Sequence, residues 1–470
     1  MKLWFWLSVA GIEGGSRMTA DEMMSLESEL AVYLEEFRDC FGRSEPRGKL
    51  ATYVRGQLGE LPRKSVEPIA LAAGMKPRTL QEFLASDEWD EERLRAHTYR
   101  LVLRDHADEQ RIGVIDESGH PKKGSETAGV GRQYCGNTGK IDNCVMTVHL
   151  TATSFDGQFR TLVESELYLP QAWHEDRDRC LAAKIPDTVI YRSKYHIALD
   201  QLDRATAQGL SFSWITADEW YSQKPAFVAG LEQRGQRYVL EVPKNFKAWL
   251  HDPDTARTES SSKSVENLLR YSKPLMQQPW QAYRIKDTDK GPQVWEMKFA
   301  PCWLPRTDGV VGPHWLVIAR NVLNRDELKY FISNASAGVP LPVILHVAFG
   351  RWPVERCLQD EKSELGLSHF EVRCYPALKR HLLLTQVSHL FLAHQTHRLR
   401  KKKSRGHTPP NPRRDQRRDH VLVTPPLSPP RPSAEDRSDP SIPPTPQRPS
   451  PHLTHPNPPP HPRTTRLLRQ

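Results

Sequence analysis

The chain has 470 residues, 66 Lys and Arg against 57 Asp and Glu, and a hydrophobic fraction of 38%. This length allows two or three domains with a real core. The formal charge of +9 all lies in the last stretch: residues 401–470 hold 14 basic and 5 acidic residues, so residues 1–400 are neutral. A pI near 9.1 is therefore no sign by itself that the folded body binds nucleic acid. Seven scattered cysteines without a C-x-x-C pair argue against a zinc ribbon or redox motif and suit reduced thiols. No run of 18 apolar residues exists, so no membrane-spanning helix is expected.

Residues 1–18 begin with a short signal-like apolar stretch without a convincing cleavage site. They read as a mis-annotated start, with Met18 as the alternative to Met1. Residues 19–110 read as a helical N-terminal domain, from "ESELAVYLEEFRDCF" to "RTLQEFLASDEWDEERLRAHTYRLVL". Such a unit either binds DNA or serves as helical packing. From 111 the period changes to strands: "RIGVID", "NCVMTVHLTATS" and "FRTLVESELYLP". A helical stretch over roughly 174–208 follows, then the strand "GLSFSWITAD", the helix "KPAFVAGLEQRG" and the strand "RYVLEVP". This order implies a mixed sheet flanked by helices over 111–244. Residues 245–345 contain four further strands and read as a β-rich insertion, and 346–403 return to helix. Of the 39 prolines, 19 lie between Pro409 and Pro462, so residues 404–470 are expected to be a disordered Pro/Arg-rich tail.

Two strands end on aspartate, Asp116 in "GVID" and Asp218 in "WITAD". Carboxylates at the ends of neighbouring strands converge, which suits a hard divalent cation. Glu117 competes with Asp116 for the first place; Asp116 is favoured because it directly follows the apolar strand. A third carboxylate, Glu355, has Arg351 four residues before it and Lys362 seven after it, on one helical face. Glu361 and Glu364 lack those partners and read as solvated charges.

Together these residues resemble a bacterial insertion-sequence transposase of the DDE class, in the cut-and-paste lineage with a Y-x2-R-x3-E-x6-K signature. Arg351, Glu355 and Lys362 match the spacing, whereas Ala348 stands where the tyrosine is expected. "IDESGHPKKG" is similar to the family's first aspartate segment and "ITADEWY" to its second. The resemblance implies an RNase H-like α/β core interrupted by a β insertion. It implies that Asp116, Asp218 and Glu355 hold two Mg²⁺ ions, with Mn²⁺ as substitute, for phosphoryl transfer on double-stranded DNA. It further implies excision and strand transfer between transposon ends and target, a homodimer, and a cytoplasmic, nucleoid-associated bacterial protein. Arg351 and Lys362 are expected to grip phosphates. Lys122 and Lys123 either touch the DNA backbone or form a solvated turn. His120 is expected in a loop, Cys135 in packing, and Trp220 and Tyr221 in support of the site or in the core. The alternatives are an RNase H-like nuclease without transposition and an inactive end-binding remnant, the latter suggested by a tail composition that a frameshift in GC-rich DNA would produce.

Overall fold

In the computed structural model, residues 20–106, 110–255, 261–288, 291–306, 309–351, 358 and 361–405 are described. The N-terminal helices are α1 (Ala20–Glu35), α2 (Ser44–Leu58), α3 (Val66–Ala72), α4 (Pro77–Ala85) and α5 (Glu91–Asp105). Then come β1 (Arg111–Pro121), β2 (Gly131–Cys135), β3 (Lys140–Ser154) and β4 (Arg160–Tyr168). Helices α6 (Gln171–Glu175), α7 (Arg177–Ala182) and α8 (Lys194–Ala207) lead to β5 (Trp214–Ala217). Helices α9 (Glu219–Ser222) and α10 (Pro225–Gln233) lead to β6 (Tyr238–Val242). A small ribbon of β7 (Lys247–Ala248) and β8 (Lys263–Ser264) precedes α11 (Val265–Tyr271) and α12 (Lys273–Gln277). The remaining strands are β9 (Gln281–Thr288), β10 (Gly291–Arg306), β11 (Gly309–Asn321) and β12 (Leu328–Ser333). Helix α13 (Leu341–Phe349), a π-helical turn (Glu361–Leu365) and α14 (Tyr375–Arg405) complete the described chain. Among the described residues no helix is long and apolar enough to cross a membrane.

One ten-stranded sheet runs β2-β3-β1-β5-β6-β12-β11-β10-β9, with β4 also on β3. Strands β1, β3 and β4 are antiparallel, whereas β5 and β6 run parallel to β1 on its other side. Three antiparallel strands followed by two parallel ones beyond the first is the RNase H-like arrangement expected from the sequence. Apart from the β7–β8 ribbon, the strands of 245–345 do not form a separate sheet: β12 pairs antiparallel with β6 and extends the core sheet at that edge. β5, "WITA", is buried along its whole length, as a central parallel strand must be. Its approach to β1 depends on Gly113, where a Cβ would lie 2.5 Å from Ile215 Cδ1.

Apolar alternation splits β1 between two cores. Ile115 joins the large core with the N-terminal helices, α8, α10 and α14, while Ile112 and Val114 join a second core under α13. Helix α13, "LPVILHVAF", is apolar nearly all round and buries Ile344, Leu345, Val347 and Phe349. Helix α14 joins the N-terminal helices through buried polar contacts. Tyr33 Oη donates to Val387 O at 2.8 Å, and Tyr53 Oη pairs with His381 Nδ1 at 2.8 Å. Gln57 Nε2 donates to Thr385 Oγ1 at 2.8 Å, and Ser388 Oγ donates to Gln57 Oε1 at 2.7 Å.

Four local expectations change. β1 does not stop at Asp116 but continues to Pro121, because β3 supplies ladder partners along its whole length. His120 is therefore not a loop residue: it is fully buried in β1, bonded to Ser368 Oγ at 3.0 Å and Thr147 Oγ1 at 2.8 Å. The helical stretch near 174–208 is broken by an extended segment before Lys194, where Ser193 caps α8 by accepting from His196 N. The 346–403 stretch is likewise not helical throughout, since Gly366 turns the chain at φ +75° before α14 begins.

Gln57 is the bridge between α2 and α14. Replacing Gln57 with Leu strands the Ser388 hydroxyl in the interior, while Thr385 keeps its bond to His381 O, and should cost about 1–3 kcal/mol, read as a lower urea midpoint with an unchanged slope.

Candidate active site

The site follows from strand register. Ile115 of β1 lies beside Ala217 of β5, and Ala217 lies beside Leu240 of β6. One step further along each strand are Asp116, Asp218 and Glu241. Alternation puts Asp116 on the side of Val114 and Glu241 on the side of Val239, both residues of the core beneath α13. Three carboxylates thus end a row across three adjacent strands, at the carboxyl edge of the parallel pair, where open α/β sheets commonly bind ligands.

Asp218 is the cap of α9; its Oδ1 accepts from Trp220 N at 3.0 Å and Tyr221 N at 3.3 Å. Asp116 Oδ1 accepts from Glu117 N at 2.7 Å. Burial, and then the negative charge of Asp218, push the Asp116 carboxyl up to about 7. Asp218 is also raised, by burial first, while the α9 amides and the Arg351 guanidinium oppose the shift. Arg351 follows α13 and donates from Nη2 to Glu241 Oε2 at 2.9 Å, and its charge acts on both aspartates. Lys329 Nζ holds the other oxygen of Glu241 at 2.5 Å.

Glu117, the next residue of β1, points to the opposite face, where Lys194 Nζ of α8 donates to its Oε1 at 2.8 Å. Burial raises Glu117, and Lys194 counters it. Lys194 also lies 5.2 Å from the Trp220 ring centroid, and Lys224 lies 4.8 Å from it. Trp220 is half-buried, and Tyr221 is fully buried. On β3, His149 stands opposite Asp116, and burial holds it near 3, so it is neutral. Thr147 Oγ1 links it at 2.8 Å to the chain of bonds through His120 to Ser368. Among the described residues, Ser118 Oγ, His149 Nδ1, Thr151 Oγ1, Glu117 Oε2 and Tyr221 Oη are buried with no hydrogen-bond partner.

Of the residues singled out from sequence, the fold brings together Asp116, Asp218 and Arg351. Glu355 lies outside the described residues. Lys362 sits on the π-helical turn, 3.3 Å from Asn137 Oδ1 of the β2–β3 hairpin, and its charge adds to the burial that holds His120 and His149 down. Lys123 is exposed. Lys122 instead donates to Phe370 O at 2.6 Å with its ammonium 3.5 Å from that ring centroid, and burial pulls it down to about 8. Cys135 is buried in packing, in a pocket that a Cβ at Gly119 would invade. Sequence reasoning missed Glu241, Lys329, Lys194 and His149. Only Glu241 left a trace, as the single charge inside the apolar run "YVLEV".

A second group with metal-binding side chains is Asp39, Cys40 and His97, whose ligand atoms lie within 4.8 Å of one another. Here Asp39 and His97 already bond at 2.6 Å, and burial pushes the Cys40 thiol up to about 12, so the group is closed on itself.

The donors at the Asp116–Asp218 pair fit a hard divalent ion: they are carboxylate oxygens, and burial and then the charge of Asp218 push the Asp116 carboxyl up. The shift also sets a pH signature for the metal-free protein. An Asp116 raised from 3.8 to about 7 binds more protons folded than unfolded, so stability falls as pH rises through that window. Asp116→Asn should therefore melt higher than wild type at pH 8, by roughly 2–4 °C, and show no such gain below about pH 4. Calorimetry in the presence of chelator measures it.

Residues 36–293 match the family model described as DDE superfamily endonuclease, a span that holds Asp116, Asp218 and Glu241 and stops before Arg351. The chain is 26% identical over 327 residues to a probable transposase for insertion sequence element IS701 from Microchaete diplosiphon, covering 69% of this chain and 76% of the relative. A cryo-EM structure of a piggyBac transposase synaptic complex with hairpin DNA aligns over 80% of this chain and 76% of that one, at 12% identity and a TM-score of 0.35, too slight a likeness to bear on the fold. With more than half its length inside the family model, the chain belongs to the DDE superfamily of endonucleases.

Proposed function

We propose that the protein is an insertion-sequence transposase that excises a DNA element and joins it to a target by phosphoryl transfer, with Asp116, Asp218 and Glu355 as its three carboxylates. The observation that carries this reading is the register that sets Asp116 beside Asp218, half-buried, repelling and within the field of Arg351. The two aspartates and Glu355 would hold two Mg²⁺ ions, or Mn²⁺ in their place. When bound, such ions neutralise the scissile phosphate and lower the pKa of an attacking water or 3′-hydroxyl.

The chain's own groups do the rest. The α9 amides hold Asp218 in one rotamer, so the donor set is in place before substrate arrives. Neutral His149 fills the β3 side of Asp116 without adding a cation. Arg351, with a planar fork, suits two oxygens of one phosphate, while Lys362 supplies a point charge beside the β2–β3 hairpin. Lys123 is offered to the DNA backbone; Lys122 reaches it only by leaving the Phe370 carbonyl. The helices of 19–110 form the DNA-binding domain in this reading, and a homodimer bridges the two ends of the element.

Cleavage of a fragment carrying the element's ends, with Mg²⁺, tests the proposal. Asp116→Asn, Asp218→Asn and Glu355→Gln should each lower cleavage by roughly 10³-fold or more while end binding persists. Full activity in Glu355→Gln removes that residue from the site; cutting without joining marks a nuclease rather than a transposase. Lys362→Ala should weaken DNA binding and lower the slope of log affinity against log salt by about 1. Filter binding at several salt concentrations reads that slope, and an unchanged slope removes Lys362 from the phosphate contacts.

A further inference from the structure

Glu241 is the carboxylate of the row to which the proposed chemistry gives no part. Register places it one strand beyond Asp218, yet both its oxygens are occupied, Oε1 by Lys329 at 2.5 Å and Oε2 by Arg351 at 2.9 Å. The ion pair is largely buried, with the Arg351 and Glu241 side chains 12% and 14% exposed. Arg351 is delivered from above by α13, whose apolar face is locked into the core under which the row lies. The guanidinium is thus near three anions, Asp116, Asp218 and Glu241, and the described geometry bonds it to the outermost.

A cation near two metal-binding carboxylates competes with the metal. Glu241, an anion on the far side of the row, draws the guanidinium away from the aspartates. We propose that Glu241 is a positioning residue: it ties the Arg351 guanidinium to β6, so that Arg351 stays poised for phosphate without competing with a divalent ion for Asp116 and Asp218. This rests on the reading of those aspartates as metal ligands. Lys329 completes the device, since it neutralises the second oxygen of Glu241 and leaves a single site for Arg351.

The test is Mn²⁺ binding to the purified full chain without DNA, followed by the paramagnetic resonance signal of free Mn²⁺. Glu241→Gln should raise the Mn²⁺ Kd by about tenfold, because Arg351 then falls onto the aspartates. Arg351→Gln should bind Mn²⁺ at least as tightly as wild type. The double variant should return to within about threefold of wild type, a non-additivity that loss of a ligand or of fold support does not produce. An unchanged Kd in Glu241→Gln overturns the proposal, and so does a double variant as weak as Glu241→Gln alone. If Glu241→Gln does not fold, Arg351→Gln decides: weaker Mn²⁺ binding than wild type overturns the proposal. Asp116→Asn separates the two readings. Mn²⁺ binding that survives Asp116→Asn overturns the metal-site reading itself, whereas binding lost there but untouched in Glu241→Gln overturns only the role of Glu241.

Discussion

The register of three parallel strands governs this molecule. Because Ile115, Ala217 and Leu240 lie abreast, the next residue on each strand is a carboxylate, and negative charge collects at one sheet edge. Burial first, and then repulsion by Asp218, push the Asp116 carboxyl up to about 7, a measure of what that charge costs. Much of the surrounding structure serves to contain it. The α9 amides take Asp218, Lys329 takes Glu241, and Arg351 stands between. Asp116 and Glu117 are neighbours in sequence but face opposite ways, so each requires its own compensation, and Lys194 supplies it on the α8 side.

That containment depends on elements far away in the chain. Arg351 is useful only where α13 ends, and α13 is held by apolar packing on the second face of the sheet. The first face is closed by α14, which binds the N-terminal helices through Gln57, Tyr53 and Tyr33 and reaches the sheet where His389 Nδ1 accepts from Leu162 N at 3.1 Å. The helical N-terminal segment is therefore welded to the catalytic sheet by buried hydrogen bonds. In the proposed reading, DNA gripped by those helices is held in fixed relation to the carboxylate row.

The strand order of the core, the two aspartates and the arginine were all legible in the sequence, since each leaves a local mark. A short apolar run ends in an acid at Asp116 and Asp218, and the spacing from Arg351 to Lys362 is a one-dimensional pattern. The end of β1 was misplaced because a polar strand such as "ESGHP" owes its extended form to β3 and not to its own composition. His120 was misread for the same reason: a histidine among lysines, glycine and proline has the look of a loop, and only cross-strand burial hides it.

By itself the sequence determined the alternation that makes the strands, the apolar helices that cover them, and the acids that end them, because these are set by neighbours along the chain. The tertiary structure decided which charges meet. Glu241 and Arg351 are 110 positions apart and bond at 2.9 Å; Lys194 and Glu117 are 77 apart and bond at 2.8 Å. Such pairs arise from register and from the angle at which a helix leaves a sheet. Neither quantity is written in any local stretch of residues, so the electrostatics of the site exist only once the sheet has closed.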